Sequence, residues 1–584
     1  MSQTTWDLAL LYKSNRDPQI EKDLQKIERA CRAFEKNYKD KPFTASPAAL
    51  AAALEYRERL SSELDGSKPW WYFALQSDLD SANSEASALA TKYGQRITEA
   101  TNRIAFFELG IARVTPAKQK QYLRHPALKP YVYALKRVFG AAKHNLSEAE
   151  EQLTNLLTQT SYTMWIDAQE KLLNQQVIEY KGKDLPIVEA VQQLPDLPKK
   201  ERRQVHEKIL SSLKSISYLA EAELNAVYNF KKAMDTRRGF VKPYSQTILD
   251  YENDEQSIEA FVAFISNNFK IAHRFYALHA KLLGEKVISP ADRNTKIGTI
   301  STTFDFDTSV KILRSVLGKI DQDYVAIFDR FLLSGQIDVQ SRKGKKAGAY
   351  CWGMGQLPTF VLLNHVNDIR SLETLAHEMG HAIHTELSKQ QPPRYQKYST
   401  ATAEVASTFF EQLITEEVEQ HLSDKEKIVM LHNRIMGDIT TIFRQIACFN
   451  FELELHTAVR AEGEVSKEGI AKLMAKHLRS YLGKAVEVTD DDGYFYVYWS
   501  HIRRFFYVYS YAYGQLISRA LYHEWQRDPA YATKIKQFLS AGRSMSPEVI
   551  FKSIGIDTSK PSFFAAGLQS IEQDIDRLEQ LTRG

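Results

Sequence analysis

Cysteine is scarce: the 584-residue chain holds three. Cys31, Cys351 and Cys448 lie far apart. Such spacing excludes a disulfide framework and a cysteine-type zinc site, and fits a reducing compartment. An excess of one charge is missing too, since 76 Lys+Arg against 72 Asp+Glu leave +4. That is too little for the basic footprint of a nucleic-acid-binding protein. The short runs Lys343-Gly344-Lys345-Lys346 and Lys199 to Arg203 read as solvated loops. No stretch approaches the roughly 18 apolar residues of a membrane span. The opening MSQTTWDLALLYKSNRD has no basic segment leading into an apolar one, so no secretory leader is expected. These absences predict a soluble, cytoplasmic protein with neither nucleic acid nor membrane as partner. They say nothing of its oligomeric state.

What the chain has in quantity is helical pattern. Between Asp17 and Tyr38, Ile20, Leu24, Ile27, Cys31 and Phe34 recur at steps of three and four, one apolar stripe on a charged helix. Similar patterns run through Pro47–Leu64, Leu75–Val114 and Leu146–Ala168, with a break at Gly66-Ser67-Lys68-Pro69. VIEYKGKDLPI (Val177–Ile187) reads as a short hairpin around Lys181-Gly182. KGKKAGAYCWGMGQLPTFVLL (Lys343–Leu363) reads as strand, turn, strand. The length exceeds one ordinary hydrophobic core. The prolines and charges of QQLPDLPKKERR (Gln192–Arg203) suggest a boundary, giving domains 1–195 and 196–584.

Just past the second strand pair stands LAHEMGHAIHTEL, with His377-Glu378-Met379-Gly380-His381 at its centre. Residues four apart on a helix share a face, so His377 and His381 can aim two imidazoles at one point. Two neutral imidazoles suit zinc, and a catalytic site needs a third protein ligand and an open position for water. Glu378 lies about 100° round the helix, beside such an ion, where it can take a proton from water. A chain of this composition would produce the pattern by chance about 0.03 times. Apolar residues at 372, 375, 379, 383 and 387 support the helix. Gly380 in its interior costs about 1 kcal/mol against Ala, which points to something packed closely there.

The third ligand is not in the motif. A histidine ten residues after His377 would fall at 387, where Leu stands. His384 is one turn beyond His381, too close on one helix for a tetrahedral site, and reads as a packing or supporting residue. After Pro392-Pro393 a second helix begins near Ser399. Glu404 lies in its early turns among Ala401, Ala403, Ala406 and Ser407, small neighbours that permit close helix contact. Glu404 is the expected ligand, and Glu411, two turns on, the alternative.

Aromatics concentrate in GYFYVYWSHIRRFFYVYSYAYG (Gly493–Gly514), which holds seven tyrosines. Tyr507-Val508-Tyr509-Ser510-Tyr511 alternates like a strand, while Tyr507/Tyr511 and Tyr509/Tyr513 are helical i,i+4 pairs; periodicity does not choose. With His501, the phenols could donate hydrogen bonds to an oxyanion.

Taken together, GAYCWG, TLAHEMGHAIH, AEVASTFFEQ and HIRRFFYVYSYAYG, in this order and near this spacing, resemble the oligoendopeptidase F branch of the thimet-oligopeptidase-like zinc metallopeptidases. WDLALLY and the region around NLSEAEEQL extend the resemblance over nearly the whole chain. It implies a mainly α fold, with two helical lobes around a deep substrate channel and a small β-sheet beside the active-site helix. It implies one Zn2+ on His377, His381 and Glu404, with Glu378 as base. It implies cleavage inside short oligopeptides, with Gly348, Ala349 and Tyr350 on a strand that pairs with substrate backbone, and Tyr509 also in contact. His501, Tyr507 and Tyr511 best match the family's transition-state residues, with Tyr509 and Tyr513 the alternative register. Cys351 and Trp352 stand where the family more often has small polar residues, which leaves the local subsite preference open. A carboxypeptidase, with Arg503 or Arg504 holding a substrate terminus, is the competing reading.

Overall fold

A computed structural model describes residues 3–64 and 67–583; Gly66, at the first expected break, lies outside the described residues. The fold is mainly helical, with two small sheets. By proximity the chain forms two compact units, each assembled from three stretches. One comprises residues up to 143, 302–420 and 521–555, and the other 144–301, 421–520 and 556 onward.

The first long helix, Pro18–Tyr38, begins where Asp17 caps it, its carboxylate accepting the Gln19 N–H at 2.9 Å. It buries the predicted stripe of Ile20, Leu24, Ile27, Cys31 and Phe34. The pattern expected as one helix over Leu75–Val114 is three: Lys68–Leu79, Ser84–Asn102 and Phe106–Ala112. Short polar side chains make the first break. Asp80 accepts from Ala82 N–H and Asn83 from Ala86 N–H, both at 3.0 Å, so local capping replaces helix propagation. The pattern over Leu146–Ala168 starts at a capping box between Ser147 and Glu150 and runs through a π-helical turn, Gln159–Thr163, to Asn174.

The predicted hairpin is β1 (Val177–Tyr180) paired antiparallel with β2 (Lys183–Pro186). In the first unit, β3 (Ile337–Gln340), β4 (Tyr350–Trp352) and β5 (Phe360–His365) form a sheet in the order β3-β5-β4. β3 runs parallel to β5 and β4 antiparallel, with Tyr350 opposite Leu362 and Trp352 opposite Phe360. Central β5 is buried along most of its length, as a strand covered on both faces should be. Trp6 locks it in place by donating its indole N–H to Val361 O at 2.8 Å. β4 is left as the edge.

From β5 the chain turns directly into the helix that carries the histidine motif, Ile369–Ser388. Asp368 caps it, accepting the Ser371 N–H at 2.8 Å. Leu372, Leu375, Met379, Ile383 and Leu387 are buried along its inner face. Gly380 explains itself at the crossing with the next helix, Thr400–Glu419. A Cβ there would stand 2.8 Å from Ser407 Cα and 3.0 Å from the Phe410 ring. The helices touch backbone to backbone, and only glycine permits it.

Candidate active site

That close crossing brings His377, His381 and Glu404 together. One ligand atom from each lies within 4.8 Å of the other two, a spacing able to hold a metal ion. His377 Nε2 is 3.7 Å from Glu404 Oε2. Ser407 steadies the glutamate, its hydroxyl 3.4 Å from the same oxygen.

Glu411 takes a different position. Its Oε2 lies 3.0 Å from His377 Nδ1. A carboxylate can only accept, so Nδ1 carries the proton and in the neutral ring Nε2 keeps its lone pair toward Glu404. This carboxylate–histidine arrangement fixes tautomer and ring orientation, as the outer partners of metal-bound histidines do. Of the two glutamates left open by the sequence, Glu404 faces the ligand side and Glu411 stands behind His377.

The electrostatics agree with a cation-seeking site. Burial lowers the His377 pKa, but the hydrogen bond and charge of Glu411, with the charges of Glu378 and Glu404, outweigh it and raise it overall. His381 is pushed down to about 3, first by burial and then by His377, so it is a neutral imidazole. Glu378 is pushed up to about 7 by burial, with Glu404 and Glu411 adding to the shift; the charge of His377 and then the backbone N–H of Cys351 act the other way. Glu378 Oε2 is buried with no hydrogen-bond partner among the described residues. The sequence reading missed Glu373, one turn before His377, which is pushed up to about 8 by burial and by Glu411. Its i,i+4 spacing to His377 was the available signal.

His384 is buried and stacked on the Tyr398 ring, centroids 3.7 Å apart. It packs behind the site. On β4, Tyr350 donates its hydroxyl to Asp78 at 2.6 Å, and Gly348 adopts φ +79°. Gly348 and Ala349 carry no polar side chain and the Tyr350 hydroxyl is committed, so backbone is what these three can offer a ligand by hydrogen bonding.

In the second unit, His501, Tyr507 and Tyr511 form one cluster. His501 Nδ1 is hydrogen-bonded to the Tyr507 hydroxyl, and the rings of Tyr507 and Tyr511 are 5.6 Å apart. His501 is lowered to about 4 by burial, then by Arg444 and Arg504, so the ring is neutral; burial raises Tyr507. Helix Tyr509–Arg527 decides the tyrosine register. Tyr509 and Tyr513 turn inward: Tyr509 is fully buried with its hydroxyl on Asn253 at 3.0 Å, and Tyr513 packs between Phe261 and Phe564. The expected substrate contact at Tyr509 is therefore corrected, because a buried, hydrogen-bonded phenol has no surface to offer. Arg503 is likewise spent. It is buried, forks onto Glu223 at 3.0 and 2.8 Å and donates to Tyr496 O and Trp499 O, so it cannot hold a substrate terminus.

The turn before Tyr507 is strained. Phe505 and Phe506 both lie at positive φ, 53° and 65°, rare for bulky side chains. Four side chains hold it: Tyr162 on Arg503 O, Tyr228 on Ile502 O, Thr247 on Phe505 O, and Glu452 accepting the Phe506 N–H at 3.0 Å. Glu452 is fully buried, and burial pushes it up to about 8.

Comparison with known proteins gives this constellation a family. Residues 252–570, more than half of the chain, match the model of peptidase family M3, and residues 111–175 match that of oligopeptidase F. The chain belongs to peptidase family M3. It is 26% identical to oligopeptidase PepF of Bacillus subtilis, covering 99% of this chain and 87% of that one. It is 24% identical to group B oligopeptidase PepB of Streptococcus agalactiae, covering 99% and 96%. A crystal structure from Chlamydophila abortus shares the fold with TM-score 0.86 at 19% identity, over 99% and 98% of the two chains. Oligoendopeptidase-F from Enterococcus faecium shares it with TM-score 0.71 at 18%, over 97% and 99%. No described helix of this M3 peptidase is long and apolar enough to cross a membrane.

Two outcomes test the site. In zinc titrations, Glu404→Ala abolishes stoichiometric binding, while Glu411→Ala weakens it by about 10–100-fold; the reverse order would exchange their places. For Glu452, a folded pKa above the unfolded one means folding favours the proton. Its stabilisation is complete below about pH 4.5 and is lost as pH rises toward 8. Glu452→Gln, which keeps an acceptor for Phe506 N–H, should therefore gain in Tm over the parent steadily from pH 5 to 8 and no further above it. A difference independent of pH would refute the buried proton.

Proposed function

We propose that this M3 peptidase is a zinc-dependent endopeptidase of short oligopeptides, with one ion on His377, His381 and Glu404. The carrying observation is the neighbourhood of Glu378: the Cys351 N–H on edge strand β4 acts on its carboxyl, and its Oε2 is buried with no hydrogen-bond partner among the described residues. A base thus lies next to a strand edge that can pair with extended peptide backbone. The donor set fits the metal: two imidazoles, one of them neutral and the other held from behind by Glu411, and one carboxylate.

A bound zinc ion supplies Lewis-acid activation of water and of the scissile carbonyl. Glu378 takes the attacking water's proton and passes it to the departing amine. An acid held near neutrality serves both transfers, because neither protonation state is too stable to leave. β4 holds the substrate extended, fixing which carbonyl is attacked. We assign donation to the developing oxyanion to the Tyr507–His501 pair, with Tyr511 beside it, on its chemistry: His501 Nδ1–H donating to the Tyr507 oxygen would leave the phenolic O–H free for the oxyanion. The oligopeptidase names of the relatives support short peptides as substrates.

Glu378→Gln is expected to retain zinc and to lower cleavage of a quenched peptide by about a thousandfold; a near-parental rate would defeat the mechanism. Mass spectrometry of the parent's products should show internal cuts, with stepwise C-terminal trimming the contrary result. Tyr507→Phe should lower kcat by about a hundredfold or more with KM little changed. A change confined to KM would move Tyr507 from the transition state to ground-state binding.

A further inference from the structure

Apart from the candidate metal site, the first unit contains a cavity of 470 Å³ between the helices Pro18–Tyr38 and Pro47–Leu64 and the segments 354–356 and 389–397. Its size is that of a small-ligand pocket. The walls are largely apolar, with Ile27, Leu60, Ile104 and Met354 among them, and no carboxylate lines it among the described residues. Three cations do: Arg57, Lys389 and Lys397.

These cations are not equivalent. Lys389 is neutralised, since its ammonium reaches Glu386 at 2.6 Å and donates also to Leu357 O and Thr359. Arg57 is half-buried, and its one hydrogen-bond partner among the described residues is the Ser61 hydroxyl. Burial, then the nearby charge of Arg394, works against its charged form, and Glu108 offsets this only in part without an ion pair. Arginine stays charged in proteins, and its planar fork matches a carboxylate. A half-buried guanidinium at the wall of an apolar cavity is thus a charge-assisted donor set lacking an anionic acceptor among the described residues. Lys397 stands exposed at the rim and makes no ion pair among the described residues.

The cavity also has a fixed position relative to the catalytic motif. Met354, Gly355 and Gln356 continue directly from β4, so a peptide lying along that edge leads toward it. Lys389 follows the last residue of the motif helix, eight residues beyond His381. At a rise of 1.5 Å per residue that is about 12 Å along the helix, the span of roughly three to four extended residues.

We infer that this cavity is a substrate subsite for a carboxylate three to four residues from the scissile bond, with Arg57 as its half-buried donor and Lys397 at its rim. The inference rests on the peptidase reading and adds a preference to it. The carboxylate can belong to an Asp or Glu side chain or to the peptide's own C-terminus, and the apolar walls take the methylene stem or neighbouring side chain.

Matched quenched peptides carrying Glu or Gln at the third or fourth residue on either side of the cut test it, together with peptides ending at that offset as free acid or amide. The parent protein is expected to prefer the carboxylate form at one offset by about tenfold or more in kcat/KM, the discrimination of one charge-assisted pair. Arg57→Gln should reduce that ratio to near one, Arg57→Lys should restore part of it, and Lys397→Gln should lower it by a smaller factor. Each protein is its own reference, so a general loss of activity cancels from the ratio. The Glu/Gln and acid/amide arms tell a side-chain carboxylate from a terminal one. A parental ratio near one, or a ratio untouched by Arg57→Gln and Lys397→Gln, overturns the subsite while leaving the peptidase reading standing. No cleavage of any peptide overturns both.

Discussion

His377 has a carboxylate at each ring nitrogen, and much of the first unit serves that arrangement. Glu411 on Nδ1 and Glu404 facing Nε2 both come from one helix, seven residues apart and hence on one face. For a single imidazole to reach both, the two helices must lie closer than ordinary side chains allow. Gly380 against Ser407 and Ala406 supplies that closeness. The glycine's propensity penalty, about 1 kcal/mol, is the local cost of a global requirement. β5 sets the direction of the motif helix, and Trp6, from the far end of the sequence, fixes β5. Segments distant in sequence thus converge on the orientation of one ring.

The aromatic cluster of the second unit is built on the opposite principle. Where the histidine motif uses regular helix, Tyr507 is presented by a turn with two consecutive phenylalanines in the left-handed region, a conformation that costs about 1–3 kcal/mol per residue. Such strain persists only if neighbours over-determine it. Tyr162, Tyr228, Thr247 and Glu452 do so by bonding to backbone groups at 502, 503, 505 and 506. The buried Arg503–Glu223 pair closes the same turn from within. An arginine that looked available in the sequence is therefore architecture.

These contrasts explain what could be read in advance. Helices, the strand pair before the motif and the meeting of His377 with His381 follow from periodicity and spacing, properties carried by neighbouring residues. The apolar stripe of Pro18–Tyr38 appears residue for residue. Breaks within helical patterns were harder, because Asp80 and Asn83 act through hydrogen bonds that hydropathy does not register. β3 escaped because its pairing with β5 is parallel and long-range. The tyrosine register was undecidable from a period that fits both strand and helix; burial of Tyr509 and Tyr513 decided it. Arg57 carries no signal in sequence at all, since a lone arginine on a helix is ordinary until it proves to line an apolar cavity without an ion pair among the described residues.

Charge shows the same gap between sequence and site most clearly. A net of +4 over the chain conceals four glutamates, Glu373, Glu378, Glu404 and Glu411, gathered around two histidines. Two like charges 4 Å apart repel by about 4 kcal/mol at an effective dielectric constant near 20, so several together are sustainable only with compensation. Protons are one answer, visible in the raised values of Glu373 and Glu378. A divalent cation is another, and the two compete for the same negative charge. The histidines identify where such a cation would sit, and the surrounding carboxylates would favour its binding.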